Sequence, residues 1–175
     1  FRKCSASLKV YMPLLSRSFA KIGEYVESSF ITCEFTHSII QCIGMNKTIF
    51  EKIINREIPA AIAYEDENMI AIMDIHPVAF GHTLLISKKP YQWLQDVDDQ
   101  VLSAMFLKVK RMIPAMKEAF DADYVQVSVV GKDVPHFHIH LMPRKLNDAL
   151  HGWPTKEYSS VEEMQNYADK LKSRL

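Results

Sequence analysis

The chain has 175 residues, with 21 basic and 21 acidic side chains, zero formal net charge, 48% hydrophobic residues and 10% aromatics. That length holds one domain, or one domain with an appendage, and the balanced charge excludes a protein that coats DNA or RNA through a net basic face. The apolar content suits a globular core, and no run approaches the ~20 apolar residues that span a bilayer, so neither a nucleic-acid nor a membrane partner is expected.

Residues 1–44 differ in character from the rest. The first 23 residues contain no acid, and the chain opens on Phe1, whereas Met45 stands directly before the first clear amphipathic pattern. An acid-poor leader rich in Ser, Arg and Lys is either a targeting segment or upstream sequence read through in frame, with Met45 the natural start. The second reading is adopted here, so residues 45–175 are taken as the folded domain. Cys4, Cys33 and Cys42 all precede Met45, in odd number and at spacings that match no metal or disulfide framework. The body of the chain therefore owes nothing to disulfides or cysteine-ligated zinc. That suits a reducing cytosol and a cytoplasmic protein, with organellar targeting by residues 1–44 as the alternative.

From Met45 the elements follow in order. Ile49 to Ile54 carries apolar residues at helical spacing, and Ile58-Pro59 is expected to stop that short helix. Ala61–Tyr64 and Met69–Met73 read as strands of a hairpin around the turn cluster Glu65-Asp66-Glu67-Asn68. A loop bracketed by Pro77 and Gly81 leads to a third strand, His82–Ser87. Asp98 or Asp99 is placed to cap a long helix reaching Phe120, with Val101, Met105, Lys108 or Val109, and Met112 at recurring positions. Pro114 lies inside it, and an interior proline costs ~3 kcal/mol, so a bend is expected near Ile113. Tyr124–Val130 and Val134–Met142 read as two further strands. The capping box Ser160-Val161-Glu162-Glu163 opens a C-terminal helix whose inner side is Val161, Met164, Tyr167, Ala168 and Leu171.

The chemistry concentrates in Val134-Pro135-His136-Phe137-His138-Ile139-His140-Leu141-Met142-Pro143-Arg144. Alternation along a strand puts His136, His138 and His140 on one face and Phe137, Ile139 and Leu141 on the other. The apolar face is core. Three imidazoles in register are hard to explain as packing, because each needs a hydrogen-bond partner once buried. Such a face can bind a transition metal, or its middle imidazole can be a covalent nucleophile flanked by donors that stabilise an anion. A solvated polar edge is the plain alternative, common for one histidine and not for three. Spacing alone leaves metal and nucleophile open.

His136-Phe137-His138-Ile139-His140-Leu141-Met142 resembles the signature of the histidine triad (HIT) family of nucleotide-binding hydrolases and transferases. Two further stretches agree: Thr48 to Pro59 resembles the amino-terminal segment of the family's HINT-type branch, and Asp74-Ile75-His76-Pro77 with Gly81 to Lys89 matches its middle. The resemblance implies an α+β, HIT-like fold with a five-stranded antiparallel sheet, one long helix and one or two short ones, pairing as a homodimer. It implies that His138 attacks the α-phosphorus of a purine nucleotide, that His140 donates to a non-bridging oxygen, that His136 positions His138, and that His82 completes the cluster. Asp74 takes the place of the family's ribose-binding acid, and Ile49, Phe50, Ile53, Ile72 and Ile75 that of its base slot. The plain alternatives are a turn-capping aspartate and ordinary core.

One loop departs from the family. Where an Asn and a Gly-Gln-Ser/Thr-type stretch are usual, this chain has Val127-Ser128-Val129-Val130-Gly131-Lys132-Asp133. Gly131 still offers a backbone N–H to phosphate, Lys132 replaces the glutamine, Asp133 replaces the hydroxyl, and Ser128 is the stand-in for the Asn. An acid there repels phosphate unless its side chain turns away. The activity implied is hydrolysis of a purine nucleoside phosphoramidate or adenylyl conjugate to the nucleoside monophosphate through a covalent nucleotidyl-histidine, with no metal and no cofactor. The alternatives are a dinucleoside polyphosphate hydrolase and a catalytically weak nucleotide-binding protein.

Overall fold

A computed structural model of the chain describes residues 47–148 and 153–175. The expectations for residues 1–44 and for Met45 lie outside the described residues. Helix α1, Ile49–Ile54, starts at a capping box in which Thr48 Oγ1 accepts the Glu51 N–H at 3.1 Å and Glu51 Oε2 accepts the Thr48 N–H at 2.8 Å. It stops before the expected Ile58-Pro59 boundary, because Arg56 turns the chain into the left-handed region at φ 61°. Strands β1 (Ile62–Glu65) and β2 (Met69–Met73) form the expected hairpin. Asp66 Oδ1 holds its turn by accepting the N–H groups of Asn68 and Met69 at 2.8 and 2.9 Å.

After a loop comes β3, Thr83–Ser87, and then a 3₁₀ turn, Leu94–Asp96. Helix α2, Asp99–Phe120, runs as one element with Pro114 inside it. Pro114 and Lys110, the residue whose carbonyl loses its helical partner, both lie on the exposed side of the helix. Asp98 occupies the N-cap position but makes no side-chain cap; its Oδ2 accepts from Tyr91 Oη at 2.5 Å and Lys89 Nζ at 2.9 Å.

Strands β4 (Tyr124–Ser128) and β5 (His138–Arg144) complete an antiparallel sheet of order β1-β2-β3-β5-β4. β5 starts four residues later than expected and reaches two further, as far as Tyr124 of β4 pairs with Arg144. His136 and Phe137 therefore precede the strand. Helix α3, Val161–Lys172, is capped by Ser160 Oγ, which accepts the Glu163 N–H at 3.1 Å. Glu163 does not return the bond to Ser160 but takes the N–H and hydroxyl of Ser159 at 2.6 and 2.7 Å. Ala168 and Leu171 are buried, whereas Val161, expected on the inner side, is exposed in the first turn.

Both faces of the central strands are covered, so β2 and β3 are buried at every position. One face, with Ala71, Leu85, Ile139 and Leu141, packs under α2 and α3; the other, with Ile70, Ile72, Leu84 and Ile86, packs against Phe50 and Ile53 of α1. Burying each such apolar side chain contributes about 1.5–3 kcal/mol before its ordering entropy is subtracted. The second face carries the histidines.

Candidate active site

Cross-strand pairing sets the site's geometry. Ile70, Ile86 and His138 lie in one row across the sheet; Ile72, Leu84, His140 and Ser128 lie in the next. Side chains paired across strands share a face, so both imidazoles rise beside the aliphatic floor that α1 covers. His136 joins them from the loop before β5, not by strand alternation, and contacts with Phe50 bring it in: its ring meets Phe50 edge-on at 5.8 Å, and His138 meets Phe50 at 4.9 Å.

The hydrogen bonds assign the protons. His138 Nδ1 lies 2.7 Å from the carbonyl of His136, so it carries the hydrogen and Nε2 keeps its lone pair. His136 Nε2 donates to the carbonyl of Ser87 at 2.7 Å, and its Nδ1 accepts from the hydroxyl of Thr48 at 3.1 Å. His82 Nδ1 accepts the N–H of Val78 at 3.3 Å, so His82 Nε2 donates to His140 Nδ1 at 3.0 Å. That chain leaves His140 Nε2–H as a donor with no acceptor in the cluster. The lone pair of His138 Nε2 and the N–H of His140 belong to rings 4.8 Å apart, a nucleophile beside an anion-stabilising donor.

Burial keeps the cluster uncharged. It pushes the His82 imidazole down to about 3, helped by the neighbouring His140 and His138, and His140 down to about 4. His136 and His138 are also lowered by burial, against which the His136 carbonyl bound to His138 Nδ1 acts in part. Burial raises the Asp74 carboxyl instead, while the His76 N–H it accepts at 2.9 Å opposes the rise.

The histidine shifts set an acid limit on stability. Between the unfolded value of about 6.5 and the depressed folded values, the unfolded chain binds protons that the folded chain does not. Stability is therefore complete near pH 7 and falls as the pH drops from about 6.5 toward 4, with the raised Asp74 carboxyl offsetting part of the loss at the acid end. Urea unfolding midpoints at pH 7, 6 and 5 should decline in that order; a flat series would refute the neutral cluster.

A cavity of about 800 Å³ opens on this face, lined by His138, His140, His82, Asp74 and a mainly aliphatic wall. Ile49, Phe50, Ile53, Ile72 and Ile75 line it, as does Asp133; Ser128, Gly131, Lys132 and His136 do not. Ser128 is half-buried across from His140, and Gly131 packs on the Trp93 ring, where a Cβ would come within 3.1 Å. The geometry brings further residues to the site. Thr48 holds His136, though Thr48-x-x-Glu51 is a capping-box pattern visible in the sequence. Trp153 meets His140 edge-on at 5.1 Å, and Leu84 and Val134 complete the wall. Among the described residues, Asp74, His82 and His140 each offer one metal-ligand atom, all within 4.8 Å of one another. An ion there would displace the His82–His140 hydrogen bond that gives His140 its donor.

The profile of the HIT domain matches residues 55–147. An uncharacterised HIT-like protein of Methanocaldococcus jannaschii is 39% identical over 104 residues, 57% of this chain and 81% of that one. The adenosine 5′-monophosphoramidase of Saccharomyces cerevisiae is 34% identical over 112 residues, covering 62% of this chain and 71% of the yeast protein. The crystal structure of a HIT-like protein of Bartonella henselae superposes with a TM-score of 0.65 at 35% identity, over 74% of this chain and 98% of that one.

Proposed function

The chain belongs to the HIT domain family, whose fold it shares, and from that membership we propose that it hydrolyses a purine nucleoside phosphoramidate or related adenylyl conjugate through a covalent nucleotidyl-His138. The observation that carries this reading is the bond from His138 Nδ1 to the His136 carbonyl, which leaves Nε2 unprotonated at the cavity. Nε2 attacks the α-phosphorus, a phosphorus–nitrogen bond to the imidazole forms, and the bond to the leaving amine breaks. The leaving nitrogen takes the electron pair of the broken bond and one proton from solvent, and departs as the neutral amine. Water then attacks phosphorus, Nε2 recovers its lone pair, and the monophosphate leaves while the water's proton passes to solvent.

His140 Nε2–H serves a non-bridging oxygen, where charge grows in the transition state. His82 holds His140 in the tautomer that presents that hydrogen, and Thr48 and Ser87 fix His136 beneath His138. Asp74 accepts from the ribose hydroxyls, and Phe50, Ile53 and Ile72 take the base. A second copy of the chain fits the free edge of β4, where Tyr124 and Val127 are exposed, together with Phe106 and Leu107 on α2. No helix among the described residues is long and apolar enough to cross a membrane.

The test compares release of AMP from adenosine 5′-phosphoramidate and from diadenosine tetraphosphate, without added metal and with a chelator. Faster turnover of the phosphoramidate, insensitive to chelation, is expected. Preference for the tetraphosphate would replace the substrate class, and AMP binding with no turnover of either would leave a nucleotide-binding protein.

A further inference from the structure

Among the described residues the cavity wall contains two carboxylates, Asp74 and Asp133, and no lysine or arginine. Burial keeps the imidazoles of His82, His138 and His140 uncharged near neutral pH; the fourth imidazole on the wall, His76, is exposed at its rim. Asp74 Oδ1 accepts the His76 N–H at 2.9 Å, and its Oδ2 lies 3.4 Å from His82 Nδ1, which carries no hydrogen in the neutral cluster. Asp133 is different. It lies three residues before His136, is exposed at the cavity wall, makes no ion pair among the described residues, and acts on His138 through its charge. Lys132 beside it is exposed and outside the lining.

A polyphosphate leaving group would therefore meet negative charge and, among the described residues, no lysine or arginine to offset it. A leaving amine with a second, cationic group would meet an unpaired carboxylate, one that water reaches but that still acts within the screening length of about 8 Å at physiological salt. We propose that Asp133 selects the leaving group by charge, so that the site takes adenylyl amides of cationic amines and discriminates against anionic leaving groups. This rests on the phosphoramidate reading above and names its substrate class more narrowly. Asp133 is a specificity-determining residue in this account. It takes no proton and forms no bond to phosphorus.

The experiment uses three adenosine 5′-phosphoramidates of matched alkyl amines whose far ends are an ammonium, a methyl and a carboxylate. kcat/KM is measured with the full chain and with Asp133→Asn, at low and at high salt. The same conjugates are titrated onto His138→Ala protein for their Kd. The ammonium conjugate should exceed the carboxylate conjugate by about tenfold in both readouts. The ratio within each protein, whatever its absolute activity, should shrink to about threefold or less in Asp133→Asn and in the parent at high salt. Equal ratios in the parent, or a ratio unchanged in Asp133→Asn, would overturn the role of Asp133 and leave the hydrolysis reading standing. A charge preference in Kd without turnover of any conjugate would uphold charge selection and overturn hydrolysis.

Discussion

Replacing His138 with alanine should lower AMP release from adenosine 5′-phosphoramidate by about 10³-fold or more, with the fold retained. The expected loss is large because no neighbour can substitute. His136 has both ring nitrogens engaged, with Ser87 and Thr48. His140 has its Nδ1 bound to His82, so exposing a lone pair on its Nε2 would require a tautomer shift through His82 to Val78. The residual rate would come from substrate binding and the His140 donor alone. AMP release by chromatography, beside circular dichroism of the variant, checks this. A folded His138→Ala protein that kept more than a tenth of the parental rate would sink the nucleophile assignment.

The second large effect is on stability. Gly81 sits at φ 90°, immediately before His82, and a Cβ built on it would lie 2.6–2.8 Å from the Phe120 ring at the end of α2. Gly81→Ala meets both obstacles. A non-glycine residue in that backbone region costs of order 1–3 kcal/mol, and overpacking a filled core adds about 1–3 kcal/mol. A combined loss of about 3 kcal/mol or more should lower Tm by roughly 10 °C, and displacement of His82 should reduce kcat in the protein that remains folded. A Tm within about 2 °C of the parent would show that Phe120 swings aside and that the backbone tolerates the side chain.

Much of this architecture was legible in the residues themselves. Strict apolar runs such as Met69–Met73 and the alternation of His138 with Ile139 and His140 place strands and faces correctly, because a side-chain period of two admits one register against a buried floor. His136 was placed on the right side for the wrong reason. Its burial comes from Thr48, Ser87 and Phe50, contacts distant in sequence that no local period encodes. Pro114 sits inside α2 with both it and Lys110 exposed, which is where a helix tolerates a proline at least cost. Asp98 has the right type for an N-cap, but Tyr91 and Lys89 compete for its carboxylate. Trp153 enters the cavity from a segment without periodicity, and only the folded chain brings its ring to His140. The departure at Asp133 was visible from sequence as an anomaly; its meaning depends on there being no lysine or arginine on the cavity wall among the described residues.

The most direct measurement is to trap the intermediate. The full chain is mixed with adenosine 5′-phosphoramidate labelled at phosphorus, quenched in alkali, digested, and the labelled peptide sequenced. Label on the peptide that carries His138, lost in His138→Ala, is the predicted result. AMP released at the full parental rate with no label on the protein, or label on a peptide without His138, would contradict the account.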